Sequence, residues 1–364
     1  MFLSNPFADA FGLDIGDLSI KLLQLKRQPF TGKQSTLLVK ELRTILLPPG
    51  YIVNGEIQQP EMVRKKILHI LGKDEGKYKP ITIPWVVTAL PEPKSFLKLI
   101  TIDAPEKDLT NDDILFQAKK HLPFDLEEAH IDWQIVKTDV PNSNVSKVLI
   151  GAVPKTIADS YIYLLASVGL QPITLEVEAL AIARAMITAN KDYTGEARAI
   201  LDLGATRSSL VIYDHGSVQF SMNLNFSGEL ITTGLIQALK IDYAAAETLK
   251  IKEGIIYNKT HPKYLKIMTG LADRLVDELK IALSFYQNHF PDPNPITHIT
   301  LCGGVAGLKN LDTTISRKLK ISAHPGNAWK NLFWKKTIND EEKNKGLGLA
   351  TVIGLAIHAA KEPW

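Results

Sequence analysis

The chain has 364 residues, 42 Lys and Arg against 39 Asp and Glu, 45% hydrophobic residues and one cysteine. A net charge of +3 over that length excludes binding to nucleic acid or to a strongly anionic surface by bulk charge, and the lone Cys302 excludes an internal disulfide and a cysteine zinc cluster. The length exceeds one comfortable core, so two domains or one bilobal body are expected, in a reducing, cytoplasmic setting.

The N-terminal stretch MFLSNPFADAFGLDIG lacks a basic region followed by a continuous apolar run, so no secretory signal is expected. FGLDIGDLSIKLLQL reads as an apolar strand, a turn built on Asp-x-Gly at Asp14 and Gly16, and a returning strand with Ile20 and Leu22 alternating. Ser19 and Lys21 share one side of the returning strand. A lysine there can reach back over the turn to a phosphate oxygen, or stand as an exposed strand lysine. LLVKELRTILL is a third strand; after the turn PPG comes an amphipathic helix over Glu61 to Leu71 with Val63, Ile67, Ile70 and Leu71 on its apolar side. WVVTALP reads as a buried strand.

Residues 92–147 change character and form an α+β insert. It contains the strand FLKLITI, then a helix in TNDDILFQAKKHLPF that opens on an acidic capping box from Thr110 and Asp113. Ile114, Ala118 and Leu122 mark one face of that helix and Pro123 its stop. The strand HIDWQIV follows, with Ile131, Trp133 and Ile135 on one side. KVLIGAVP and a helix from Ile157 to Val168 return the chain to the first domain. PITLEVEALAIARAMITAN then gives a short strand running into a helix whose Ala179, Ala181, Ala183 and Ala185 permit close packing. Glu176 and Glu178 at its start read either as solvated charges favoured by the helix dipole or as catalytic carboxylates.

A second half begins near Glu196. AILDLGATRSSLVIY repeats the first hairpin in register at an offset of 188 residues: Leu201 for Leu13, Asp202 for Asp14, Gly204 for Gly16, Leu210 for Leu22. One Asp-x-Gly turn is ordinary turn chemistry, whereas two in register suggest similar halves whose turns face a shared site. Glycine lets backbone N–H groups point at an anion, and the aspartate can hold a hydrated Mg²⁺, without which a carboxylate facing a phosphate repels it. Phe226-Ser227-Gly228 opens a helix whose first N–H groups could accept an anion. YAAAETLKIKEG sets Glu247 and Lys250 three apart on a helix face, a spacing that also suits a pair stabilising only its own helix. PDPNP breaks the chain before a last strand, THITLCGG. Its Gly303-Gly304 turn lets a flat ring approach the backbone and leads into a helix near Leu308. Lys335 to Lys345 reads as a solvated loop. Gly346 to Ala360 falls short of the roughly 20 apolar residues of a spanning helix, and Lys361 to Trp364 carries no lipidation motif.

In that order, DIGDLSIK, DLGAT and CGGVAGL resemble the first phosphate loop, second phosphate loop and adenosine loop of the actin-like ATPase superfamily. Within it, the insert ALPEPKSFLKLITIDAPEKDLTNDDILFQAKKHLPFDLEEAHIDWQIV, with LEVEALAIARA, FSGELIT and AETLK, is similar to the PilM family of type IV pilus assembly, from about Phe11 to Ala360. The resemblance implies an α/β actin-like ATPase fold, with two ribonuclease H-like domains around a nucleotide cleft and a small α+β insert subdomain. The first domain would cover 1–195, with the insert at about 92–147, completed by a C-terminal helix at about 346–360. The second would cover 196–345, with a subdomain at about 229–294.

By the same resemblance Asp14, Gly16, Ser19 and Lys21 line the first phosphate loop and Asp202, Gly204 and Thr206 the second, with Asp14 and Asp202 holding Mg²⁺. Gly228, Glu247, Lys250, Gly303 and Gly304 surround the ribose and adenine of ATP or ADP, and Glu178 orients the attacking water. Asp17 departs from the family pattern, in which a small residue follows that glycine. An extra carboxylate beside a triphosphate weakens binding unless it points away or helps hold Mg²⁺. The implied function is a cytoplasmic ATP-binding platform, peripheral at the inner membrane through a partner. It docks the N-terminal cytoplasmic peptide of a PilN-like membrane protein and hydrolyses ATP slowly or as a switch, as a homo-oligomer or ring. A sugar or small-acid kinase and an FtsA-like cell-division protein are the alternatives on the same superfold. A kinase needs a positioned base near the γ-phosphate, and no further acidic cluster reads as one; FtsA-like proteins carry a C-terminal amphipathic membrane helix, whereas this sequence stops at AAKEPW.

Overall fold

A computed structural model describes residues 7, 9–28, 36–76, 78–136, 144–255, 262–332 and 345–360. The chain divides into two compact units, one of Met1–Arg184, Ser217–Ser221 and Thr351–Trp364, the other of Ala185–Gly216 and Met222–Ala350.

In the first unit, β1 (Phe11–Ile15), β2 (Ser19–Gln28) and β3 (Thr36–Leu46) form an antiparallel meander, because each is an alternating apolar run and the first turn is only three residues long. β6 (Trp85–Leu90) and β10 (Gln171–Val177) add in parallel, giving the order β10-β6-β1-β2-β3. Period-two alternation then sends neighbouring residues to opposite faces. Phe11, Leu13, Ile15, Val86 and Leu90 meet α1 (Pro60–Ile70) and α3 (Lys155–Ser167) through Val63, Ile67, Tyr161 and Leu165. Ala10, Val87 and Ala89 meet Ala181 of α4 (Glu178–Met186) and Leu355 and Ala359 of α9 (Ala350–Ala359) on the other face. That face is built from small residues, and the backbones touch: a Cβ on Gly12 would stand 2.6 Å from Ala356 N, and one on Gly354 only 1.8 Å from Ala181 O. A small hairpin, β4 (Ile52–Val53) and β5 (Glu56–Ile57), turns at Asn54-Gly55, both at positive φ.

The insert is an antiparallel sheet of β7 (Phe96–Ile102), β9 (Ser146–Pro154) and β8 (Ala129–Val136), with β8 at its edge, covered by α2 (Asn111–Lys119); KVLIGAVP, expected to return the chain to the first domain, is its middle strand, because both neighbours pair with it along their length. Its core joins Ile100, Ile102, Ile114, Ala118, Val148 and Ile150, with Leu122, Ile131, Trp133 and Ile135 against it. The capping box forms as the sequence spacing requires, Thr110 Oγ1 accepting from Asp113 N and Asp113 Oδ2 accepting from Thr110 N. Helix α2 ends before Pro123: after Lys119 the chain tightens, with His121 N–H donating to Ala118 O at 2.9 Å, so the proline follows a turn already closed.

In the second unit, β11 (Ala197–Leu203) and β12 (Ser208–Asp214) form the second hairpin. β14 (Ile296–Cys302) and β15 (Ser322–Pro325) extend the sheet in parallel from β11. β13 (Ser217–Leu224) is shared, its first five residues belonging to the first unit, where Phe220 pairs with Lys98. Helices α5 (Gly228–Leu239), α6 (Tyr243–Glu253), α7 (Pro262–His289) and α8 (Leu311–Leu319) complete this unit. In this unit β13, α7 and β15 go beyond the expected set. The 28-residue α7 buries Tyr264, Met268, Leu271, Leu275, Leu279 and Tyr286, a stripe of helical period that the sequence does carry. β15 follows the strand expected to be last. The helix expected near Leu308 begins at Leu311, after turns over 303–310. Most of the loop expected over Lys335 to Lys345, and the residues after Ala360, lie outside the described residues.

Candidate functional site

Both repeated hairpins close by the same device. Gly16 N–H donates to Ser19 O at 3.0 Å, and Gly204 N–H donates to Arg207 O at 2.9 Å, the same positions shifted by the repeat offset. Cross-strand partners match as well, Asp14 with Lys21 and Asp202 with Ser209. The glycine amides are therefore spent inside the turns and do not point at an anion. What glycine supplies in the second copy is close approach, since a Cβ on Gly204 would lie 2.4 Å from Arg207 O.

In the first unit, Lys21 Nζ donates to Asp14 Oδ2 at 2.8 Å, so the lysine sits on the loop's own carboxylate, beside Ser19 on the same strand. Asp17 is buried, and its two carboxylate oxygens accept from the backbone N–H groups of Asn54 and Gly55, each at 3.1 Å. Asp17 thus fastens the first Asp-x-Gly turn to the β4–β5 turn. Asp17→Ala strands two amides and is expected to cost about 1–3 kcal/mol of stability. Urea unfolding and calorimetry would check this, with Mg-ATP affinity expected to hold. Glu178 opens α4, its Oε1 accepting from Thr351 Oγ1 at 3.1 Å, while buried Glu92 accepts the next amide, Ala179 N–H, at 3.3 Å. Glu176 is no solvated helix-end charge: both oxygens take Arg184 guanidinium N–H groups, at 2.7 and 2.8 Å, and His358 Nδ1 lies at 3.2 Å. Burial pulls its carboxyl up, but the Arg184 charge and the hydrogen bonds from His358 and Arg184 outweigh that and hold it below the ordinary carboxylate range.

In the second unit Gly204, Gly228, Glu247 and Lys250 form one bonded cluster, and Gly303 packs close under Asp202. Helix α5 starts at Ser227, whose Oγ accepts from Leu230 N; Gly228 N–H donates to Gly204 O at 3.1 Å and Glu229 N–H to Ala205 O at 2.7 Å. The helix amides expected to accept an anion thus hold the second loop instead. Lys250 Nζ donates to Gly228 O at 3.3 Å, to Thr232 Oγ1 at 2.9 Å and to Glu247 Oε1 at 2.5 Å, and Thr232 Oγ1 also bonds Glu247. The i,i+3 pair therefore does more than brace its own helix: it ties α6 to the first turn of α5. From the other side Gly303, at φ +87°, lies under Asp202, where a Cβ would fall 2.5 Å from Asp202 Oδ1. Val305 N–H donates to Leu203 O at 2.9 Å, and the Cys302 thiol lies 3.7 Å from Asp202 Oδ1. A Cβ on Gly304 would meet nothing within 4 Å, which is the open space a flat ring needs. Thr206 lies in the same loop, two residues beyond Gly204. Sequence reading missed Thr232, because a helix threonine becomes informative only once Gly228, Glu247 and Lys250 are seen around it.

Among the described residues no three His, Cys, Asp or Glu side chains gather as metal ligands. One carboxylate per loop suits Mg²⁺ that arrives with a phosphate and keeps its waters, not a caged resident ion.

A separate groove of about 490 Å³ opens in the first unit between the insert's edge strand and helices α3 and α4. Leu97, Ile162, Leu175 and Leu180 make its walls apolar, and the Glu176–Arg184–His358 group supplies charge.

The sequence profile described as "Type IV pilus assembly protein PilM" matches residues 12–360. Among solved structures, one described as "PilM-PilN type IV pilus biogenesis complex" aligns over 98% of this chain and 100% of that one, at 22% identity and a TM-score of 0.80. The ethanolamine utilization protein EutJ from Carboxydothermus hydrogenoformans aligns over 98% and 90%, at 14% identity and a TM-score of 0.53. MreB 5 of Spiroplasma citri bound to AMPPNP aligns over 95% and 94%, at 12% identity and a TM-score of 0.51. At these identities the likeness is one of fold.

Proposed function

The chain belongs to the PilM family of type IV pilus assembly proteins and has its actin-like fold, and from that premise we propose that it binds Mg-ATP and docks the N-terminal cytoplasmic peptide of a PilN-like membrane protein. The observation that supports nucleotide binding best is the bonded cluster of the second unit, which joins Gly204, Gly228, Glu247 and Lys250, with Gly303 packed close under Asp202 beside it. In this reading Asp202 and Asp14 are the metal's carboxylates, and bound Mg²⁺ neutralises phosphate charge. Lys21 exchanges Asp14 for a phosphate oxygen, as a point charge on a flexible stem can. Gly303 and Gly304 admit the base, Glu247 and Lys250 face the ribose, and Glu178, held by Thr351, orients water for slow, switch-like hydrolysis.

The second half of the proposal is carried by the groove beside the insert. An open strand edge, apolar walls and a charged end are what an extended peptide needs for affinity and register. No helix among the described residues is long and apolar enough to cross a membrane; in this reading attachment at the inner membrane runs through the peptide's parent protein. Titration of a fluorescent N-terminal peptide of the PilN-like protein tests this. Ile162→Arg places a charge on the half-buried groove wall and is expected to weaken binding about tenfold or more, leaving Mg-ATP affinity unchanged. Equal peptide affinity in both proteins would remove the groove from the proposal.

A further inference from the structure

Four residues back along β11 from Asp202, roughly 13 Å away, charge of one sign collects. Arg198 on β11 stands level with His298 on β14, and His298 with Ser322 on β15; His324 lies two residues on, its Nε2 2.8 Å from Ser322 Oγ. Tyr193 gathers two cations, the Arg198 guanidinium at 5.1 Å and the Lys191 ammonium at 4.8 Å from its ring centroid. Lys330 holds its Nζ on the carbonyl of Met186, close enough to feel both. One carboxylate answers them. Glu196 bonds Arg198 at 2.6 Å, lies 3.5 Å from Lys191 and accepts from Thr297 at 3.0 Å. The hydrogen bond from Arg198 leads in pulling its carboxyl down to about 2.

Among the described residues no second carboxylate faces Lys330 or His298. Burial first, then Arg198 and Lys191, push the Lys330 ammonium down to about 8. Burial, Arg198, Lys191 and His324 lower the His298 imidazole against the opposing pull of Glu196. Arg198 is 9% exposed, and its Nε is buried with no hydrogen-bond partner among the described residues. An orphaned guanidinium N–H beside two more cations costs stability twice, through the unmade bond and through repulsion. Lys191 and His324 are exposed, so the cluster opens to solvent.

We infer that Arg198, Lys330 and Lys191 form a second anion site, distinct from the nucleotide loops, that takes a phosphate group. A tetrahedral oxyanion accepts from a guanidinium and from two ammonium groups together, which answers the excess charge. The phosphate can come as the free ion or as the headgroup of an anionic lipid; the chemistry is shared, and the test separates the sources.

Inorganic phosphate is titrated into the full chain at constant ionic strength, with chloride as control, and melting is followed. A rise in Tm is expected in the wild type and equally in Asp202→Ala, which disables the proposed nucleotide site. Lys330→Met and Lys191→Met should each weaken phosphate binding about tenfold, the loss of one charge-assisted hydrogen bond. Lys318→Met, whose lysine pairs with Asp273 at 2.7 Å, should not. Lys191 is half exposed, so its variant tests the site even if Lys330→Met fails to fold. The parallel arm is co-sedimentation with phosphatidylglycerol vesicles against phosphatidylcholine vesicles. A phosphate response lost in the two lysine variants assigns the free ion. A response to phosphatidylglycerol alone, lost in the same variants, assigns the headgroup. No response to either, one that survives both lysine changes, or one abolished by Asp202→Ala overturns the inference.

Discussion

Asp202→Ala is expected to lower Mg-ATP affinity about a hundredfold, the upper end of what losing one group of a metal site costs, while the chain stays folded. The carboxylate lies over Gly303, where the missing side chain leaves it room, and beside the Cys302 thiol. Without it, a bound triphosphate's metal loses its anchor in the second unit, and phosphate charge is left uncompensated. Asp202 is only partly buried, so no desolvated charge is orphaned and melting should shift little. Asp14→Ala should act in the same direction but less strongly, because it also frees Lys21, now 2.8 Å away, to meet a phosphate. Titration calorimetry of both variants decides the matter: two wild-type affinities would end the reading of the paired hairpins as phosphate loops.

Gly354→Ala should cost more than about 3 kcal/mol of stability, at or beyond the upper range for overpacking. A methyl there would stand 1.8 Å from Ala181 O and 2.4 Å from its carbonyl carbon, and backbone cannot swing aside as a side-chain tip can. Relief requires α9 to back away from α4, which would also loosen Leu355 and Ala359 from β6 and carry Thr351 off Glu178. Gly270→Ala is the matched control. It lies in α7 with nothing within 4 Å of the added methyl, so the gain in helix propensity should appear as up to about 1 kcal/mol of added stability. Urea unfolding of the two variants should therefore move in opposite directions. A Gly354→Ala protein as stable as wild type would show that the α4–α9 contact is looser than drawn.

Much of this architecture was legible in the residue string because the signals involved are short in range. The paired hairpins followed from an in-register repeat, α2 from a capping box four residues long, and α1 from an apolar stripe that the fold buries at Val63, Ile67 and Ile70. Even α7 carried its period; what hid it was the absence of a cap or motif to draw the eye. The insert was visible for the same reason, its strands alternating and its helix face reading at i, i+4 and i+8.

Side-chain direction was another matter. Asp17 looked like a charge set against a phosphate, and only the hairpin 37 residues on, with two amides aimed at it, turns it into a fastening. Glu176 read equally as a solvated charge or a catalytic carboxylate until Arg184 and, from α9, His358 enclosed it. The first amides of α5 looked free until the second loop laid its carbonyls on them. By itself the sequence determined most of the strands, helices and turns, since periodicity and turn chemistry act over a few residues; β13, α7 and β15 were exceptions. Tertiary structure alone decided where each polar group spends its hydrogen bonds, because a buried donor or acceptor must find a partner wherever the fold brings one, however distant along the chain.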